Sequence, residues 1–174
     1  MVIRIFFLGM LFLATLSYFI PVNNKKVDDN IDDIALLTFD DATMYTLTTE
    51  SMNRIIYTKK AVRYKTKDMM YDGALTLKSK DKANNQITDV LYADLIIKRG
   101  DNFKFINNVK YKRDDYITLY TNELVYNAKN KIATNSVPFN GTYYNNSLSG
   151  EKIYLNLNKY HLKADNTHFE INIK

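Results

Sequence analysis

From Ile34 onward the sequence has no stretch with the 3.6-residue periodicity of an amphipathic helix. It consists of short runs of Ile, Val, Thr, Tyr, Phe and Leu, split by turn residues about every eight to twelve positions, the pattern of an all-β sandwich or barrel. The runs are Ile34–Asp40, Thr43–Thr48, Arg54–Thr58, Ala61–Lys65, Asp68–Tyr71, Ala74–Lys78, Thr88–Ala93, Leu95–Lys98, Phe103–Ile106 and Val109–Lys112. They continue with Tyr116–Thr121, Leu124–Asn127, Lys131–Thr134, Val137–Asn140, Tyr143–Leu148, Lys152–Asn156, Lys159–Ala164 and His168–Ile173, and some neighbours are expected to merge. Asp72-Gly73, Arg99 to Asn102 and Asn140-Gly141 supply residues that tolerate positive φ and read as tight reversals. Asn127 to Asn130 and Asp165-Asn166 are further turn candidates. Short connections imply that sequence neighbours pair antiparallel.

Alternation assigns the faces. Phe103 and Phe105 share one side, with Lys104 opposite, and Val109 and Tyr111 do the same against Lys110 and Lys112. Ile153, Leu155 and Leu157 alternate with Lys152, Asn156 and Asn158, as Phe169, Ile171 and Ile173 do with Glu170 and Asn172. One side of the sheet is therefore apolar and the other wet. On alternation alone, the apolar side is an ordinary closed core.

The N-terminus differs. Ile5 to Val22 carries no charge, and its 18 residues would span roughly 27 Å as a helix, close to the hydrocarbon thickness of a bilayer. Arg4 precedes it, and Lys25 and Lys26 follow, soon offset by Asp28, Asp29, Asp32 and Asp33. This predicts a single transmembrane helix with the N-terminus inside and the remainder exported. A cleaved signal peptide would need a better small-residue site than Thr15 and Ser17. The organisation expected is an anchor over residues 1–22, a polar acidic linker over 23–33 and one β domain over 34–174.

Composition removes several function classes. The chain has no Cys, which excludes a disulfide scaffold, a thiol nucleophile and Cys-ligated metal. Two His cannot build a multi-His metal site within one chain. The net charge of +5 comes from Lys and Arg dispersed among acids, without the clustered stripe of a nucleic-acid binder. Phosphate loops, dinucleotide fingerprints and hydrolase signatures are missing. His161 and His168 lie in strand-like runs and read as surface residues. The neighbours Asp40-Asp41 and Asp114-Asp115 would point to opposite faces of a strand and look like turns. Neither a catalytic residue, a cofactor nor a metal is expected. Arg99-Gly100-Asp101 and the Asn-x-Thr/Ser triplets at Asn140 and Asn145 need only turn chemistry and Asn-rich composition.

The order of features, and above all ITLYTNELVYNAKNKIATNSVPFNGTYYNNSLSGEKIYLNLNKYHLKADNTHFEI together with YADLIIKRGDNFKFINNVKY, resembles the LptC family. That family is the membrane-anchored component of the bacterial lipopolysaccharide exporter. A Thr strand (Thr118–Thr121) leads into an apolar-x-apolar strand (Leu124–Tyr126), a turn (Asn127–Asn130), Val137-Pro138, Gly141, Leu148–Gly150 and closing strands over Ile153–Ile173. The likeness covers nearly the whole chain and is weakest over Lys59 to Asn85.

It implies an open, V-shaped antiparallel β-jellyroll in the periplasm, anchored in the inner membrane. The implied task is non-catalytic: taking lipopolysaccharide from the ABC transporter and passing it on through an apolar groove. The implied partners are lipopolysaccharide, the transporter's permease jellyroll and a soluble bridge protein of the same fold. Groove residues are then expected at Tyr45, Leu47, Phe103, Phe105, Val109, Tyr111, Phe139, Ile153, Leu155, Leu162, Phe169 and Ile171. Strand-addition edges are expected at Leu36, Leu37, Thr38 and Phe39, and at Thr167, His168, Phe169, Glu170, Ile171, Asn172 and Ile173, where little chain follows to cover the edge. Two alternatives stand beside this: an anchored β-rich scaffold that bridges envelope proteins without lipid, and an exported hydrolase using His161 or His168.

Overall fold

The computed structural model describes residues 34–47, 52–80, 83–159 and 161–172. The expected anchor at 5–22 and linker at 23–33 lie outside them, as do Ile173 and the side chain of Leu47. The described residues form one twelve-stranded antiparallel sheet and contain no helix. Its strands are β1 (Leu37–Leu47), β2 (Met52–Arg63), β3 (Asp68–Lys80), β4 (Gln86–Arg99), β5 (Asn102–Arg113) and β6 (Ile117–Asn127). Then come β7 (Ile132–Asn135), β8 (Phe139–Tyr143), β9 (Asn146–Gly150), β10 (Lys152–Asn156), β11 (His161–Asp165) and β12 (His168–Glu170).

The first six strands pair in sequence order, and each is longer than the runs read from sequence. Phe103–Ile106 and Val109–Lys112 are two halves of β5, joined through Asn107 and Asn108, both at positive φ. Asp68–Tyr71 and Ala74–Lys78 are likewise halves of β3, joined through Asp72 at φ 48° and Gly73. Asp72-Gly73 is thus a kink within a strand, not the expected reversal. Asp41 on β1 has φ 49° at the same level. Pairing skips from Lys60↔Tyr71 to Thr58↔Gly73 between β2 and β3, and shifts register at Tyr92/Leu95 and Ile106/Val109 further along. These irregularities line up across the sheet as a transverse crease. Asn and Asp occupy it because their short polar side chains tolerate the left-handed region.

At the crease the burial phase changes. In β3, Met70 is buried on one side and Gly73, Leu75 and Leu77 on the other, with Tyr71 and Asp72 both exposed between them. In β4, Leu91 and Ala93 give way to Ile96 across the exposed Asp94. Skipping one position keeps the same face inward as the strand turns the corner. The sheet therefore folds over itself into two layers with one apolar interior. Thr58, fully buried, places its hydroxyl 2.6 Å from the Tyr71 carbonyl and 2.9 Å from the Lys60 carbonyl, satisfying main-chain groups at the bend.

The remaining strands continue the pattern as split pairs. β6 is shared: Val125–Asn127 pair with β7, whereas Ile117–Thr121 pair with β8. β7 and β8 are two parts of one run interrupted at residues 136–138. β9 and β10 part at Glu151, and β11 and β12 at Asn166, whose φ is 48°. Asp165-Asn166 is accordingly another corner and not a reversal. Asn140-Gly141 also fails to reverse the chain, because both residues sit inside β8, with Gly141 opposite Leu119. The branch is stitched by Asn135, which donates to Thr121 Oγ1 (2.9 Å) and accepts from the Ile153 amide (2.7 Å). The hairpins at Gly100 and over Asn127 to Asn130 do reverse, the latter with Asn127 Oδ1 accepting from the amides of Lys129 and Asn130.

One layer holds Phe103, Phe105, Met70, Ile96, Leu124 and Tyr126, and the other holds Ile56, Leu75, Leu91, Tyr111 and Leu119, all in one buried cluster. The layers meet where Arg54 of the Tyr111 layer lies over the Phe103 ring, 5.5 Å from its centroid. Beside it, Asp89 accepts from Arg113 Nε (2.7 Å), Arg113 NH2 (3.2 Å) and the Tyr111 hydroxyl (2.7 Å), with all three residues buried. Burial lowers the Arg113 pKa, but hydrogen bonding to Asp89 and the nearby negative groups outweigh it, so the net shift is upward.

Candidate functional site

Strand register shows which side chains share the interior face. Phe39, Ala61, Met70, Ile96 and Phe105 stand opposite one another along one row. A second row runs Met44, Ile56, Leu75, Leu91, Tyr111, Leu119, Gly141, Leu148, Phe169. These rows form an apolar lining that runs parallel to the crease, from the β1 edge to the β12 edge.

Seven of the sequence-predicted groove residues belong to its buried middle: Phe103, Phe105, Val109, Tyr111, Phe139, Ile153 and Leu155. Leu162 packs against them, half-buried. Phe169 and Ile171 sit toward the β12 end, 44% and 67% exposed. Tyr45 does not join the group. Ala42 and Met44 face the buried Thr58 and Ile56, so Tyr45, the next residue after Met44, points outward and is 58% exposed. In the middle, Phe103 and Phe105 have no exposed surface, and Tyr126 packs on Phe103 at 6.2 Å between centroids. Burial pushes the Tyr126 phenol up to about 12.

The β1 end is different. A cavity of about 510 Å³ opens there between Phe39, Ala61 and Met70 of one layer and Ala42 and Met44 of the other. That size falls in the usual range for small-molecule sites. Sequence reading missed Ala42, Met44 and Met70, because their phase is set by the crease at Asp41 and Asp72. Arg63 and Asp68 complete the wall: Arg63 Nε donates to Asp68 at 2.7 Å, and Lys98 Nζ lies 3.7 Å from the same carboxylate. Asp68 stays below the ordinary carboxylate range because Arg63 hydrogen-bonds it; partial burial opposes this and Lys98 assists. Across the interior, Arg54 Nε is buried and has no hydrogen-bond partner among the described residues.

Among the described residues, both ends finish in free strand edges: β1 borders only β2, and the Leu36 amide donates to the Arg63 carbonyl (2.8 Å) just before it. Leu37, Thr38 and Phe39 lie on this edge. At the other end, among the described residues, β12 borders only β9 and β11 only β10. His168, Phe169 and Glu170 form β12, with Thr167, Ile171 and Asn172 beside it. The Asn172 side-chain amide donates to the Asn145 carbonyl (2.8 Å), fixing the segment after β12.

His168 Nε2 lies 3.3 Å from Glu170 on an exposed strand, and His161 is exposed on β11. Among the described residues no group of three or more His, Asp or Glu is placed to hold a metal. The described residues offer apolar surface, strand edges and an apolar cavity with an ionic rim. Comparison with known protein families and with characterised proteins finds no match for this chain.

Proposed function

We propose that this chain is a non-catalytic lipopolysaccharide-transfer protein of the LptC kind. In this reading it is held in the inner membrane by residues 5–22, with its β domain an open, V-shaped jellyroll in the periplasm. The observation that carries the reading is the cavity at the β1 end, where the apolar lining of a folded-over sheet opens beside an edge strand. An acyl chain of about twelve methylenes left in water costs roughly 10 kcal/mol at about 0.8 per CH₂, so a continuous apolar lining alone provides the driving force. Arg63 and Lys98 at the rim suit phosphorylated headgroups. The covalent chain joins the layers along the crease, whereas away from it they meet through side chains such as Arg54 and Phe103; in this reading those contacts part to admit acyl chains. The β1 edge takes the permease jellyroll, and the β11 and β12 edges take the bridge protein, each by strand addition.

Photo-crosslinking side chains at Met44, Phe39 and Phe103 test this in the assembled exporter. ATP-dependent lipopolysaccharide adducts at Met44 and Phe39, followed by Phe103, are expected. No adduct at any of the three refutes the reading. A second reading, an anchored β-rich scaffold that joins envelope proteins without lipid, is favoured by the complete burial of Phe103 and Phe105. It predicts partner binding at the same edges with no lipid adducts.

A further inference from the structure

The outer face of the Tyr111 layer carries an ordered row that the interior reading does not use. Register places Tyr57 opposite Ala74, Ala74 opposite Tyr92, Tyr92 opposite Lys110, and Lys110 opposite Tyr120. The row continues through Asn140, Ser149 and His168. Tyr57, Tyr92 and Tyr120 are 47%, 43% and 44% exposed, so each leaves about half of its side chain open to a ligand. They recur on every second strand, and with about 4.8 Å between strands they repeat at about 9.6 Å. Lys110 stands between two of them, its ammonium 5.5 Å from the Tyr120 centroid. The row contains no carboxylate. Two shallow depressions, of about 510 and about 440 Å³, flank its centre and share Tyr120 and Asn140.

We infer that this row is a docking platform for an extended β-1,4-linked N-acetylhexosamine chain lying across the strands. In such a chain successive rings flip face and advance by a step close to the distance between neighbouring strands. Every second ring therefore falls over a tyrosine, in the same orientation each time. Pyranose rings present an apolar face of C–H groups that stacks on aromatic rings. Their equatorial hydroxyl and acetamido groups point sideways, where Lys110, Asn140 and Ser149 supply donors and acceptors. An α-1,4-linked chain curls and cannot follow the row.

The test is calorimetric titration of the full chain with chitohexaose and maltohexaose, in a detergent without a sugar headgroup. Chitohexaose binds and maltohexaose does not. Tyr92→Ala with Tyr120→Ala weakens chitohexaose binding by at least about tenfold, the consequence of losing two ring contacts. Tyr92→Phe with Tyr120→Phe retains it, because the ring and not the hydroxyl carries the contact. Tyr45→Ala, exposed but outside the row, leaves binding unchanged. Absence of chitohexaose binding, equal binding of maltohexaose, or indifference to the double alanine change overturns the inference. All these side chains are exposed, so circular dichroism of the variants matches the native protein.

Discussion

Removing the carboxylate of Asp89 should be among the most damaging single changes in the domain. Its side chain is 3% exposed and that of Arg113 is 4% exposed, and the pair is 2.7 Å apart. Asp89→Ala removes the carboxylate that neutralises the buried Arg113 guanidinium, at a cost of about 3–5 kcal/mol. The Tyr111 hydroxyl also loses its acceptor, adding about 1 kcal/mol. The total, about 4–6 kcal/mol, is a large part of the roughly 5–15 kcal/mol that holds a typical domain folded. With a urea slope near about 2 kcal/mol/M, the midpoint falls by about 2–3 M. Arg113→Met alone is similarly harmful, because it strands the Asp89 charge. Asp89→Leu combined with Arg113→Met removes both charges and returns the midpoint to within about 1 M of native. Urea denaturation of the native protein, the two single variants and the double variant, read at constant slope, makes the comparison. A drop below about 0.5 M for Asp89→Ala, or a double variant as unstable as the two single changes summed, would refute the reasoning.

Three further outcomes can be checked by the same denaturation assay. Gly141→Ala should cost about 3 kcal/mol or more, because the added methyl meets the Thr118 carbonyl oxygen and comes within 2.9 Å of the Leu119 Cα, both main chain; a loss under about 1 kcal/mol would show that β6 and β8 can separate freely. Asn107→Val, a change usually favourable in a strand, should here cost about 1–2 kcal/mol because φ is 60°, whereas Asn107→Gly stays within about 0.5 of native; a stabilising Val contradicts the crease. The Asp68 pKa is lowered on folding, so its ion pair contributes fully above the ordinary value of 3.8 and is lost as pH falls through the lower folded value. Asp68→Asn should therefore flatten up to about 1 kcal/mol of the stability change between about pH 5 and pH 3, and an unchanged slope would dismiss the pair.

Much of the architecture was legible in the chain. Period-two alternation around Phe103, Val109, Ile153 and Leu155 identified strands and assigned their inner side chains. The hairpins at Gly100 and Asn127 were legible because turn chemistry there coincides with the end of both flanking runs. The crease was not, although its residues were noticed. Asp72-Gly73 and Asn140-Gly141 carry the residues of a tight turn, but a left-handed residue serves a kink as readily as a reversal. Which one forms depends on whether neighbouring strands bend at the same level, and that information lies some 15 residues away in each direction, about one strand and its turn. The same ambiguity hid Ala42 and Met44 and put Tyr45 on the wrong face. Within a six-residue run such as Thr43–Thr48, alternation fits either phase until the partner strand selects one. Gly141 had a different reason to be Gly, close approach of the main chain of β6, which leaves no local signature.

Each strand from β1 to β6, and each split pair after them, lies against the segment before it, and this has a consequence for how the domain is made. Each new segment lays itself against the one synthesised just before it, so the loops that must close are short and the search is brief for an all-β chain. Construction proceeds from one flank like courses of brickwork, and no late piece has to travel back to seal against the first. A structure assembled this way has a starting flank and a finishing flank, and a second molecule can extend either one without disturbing what is already laid.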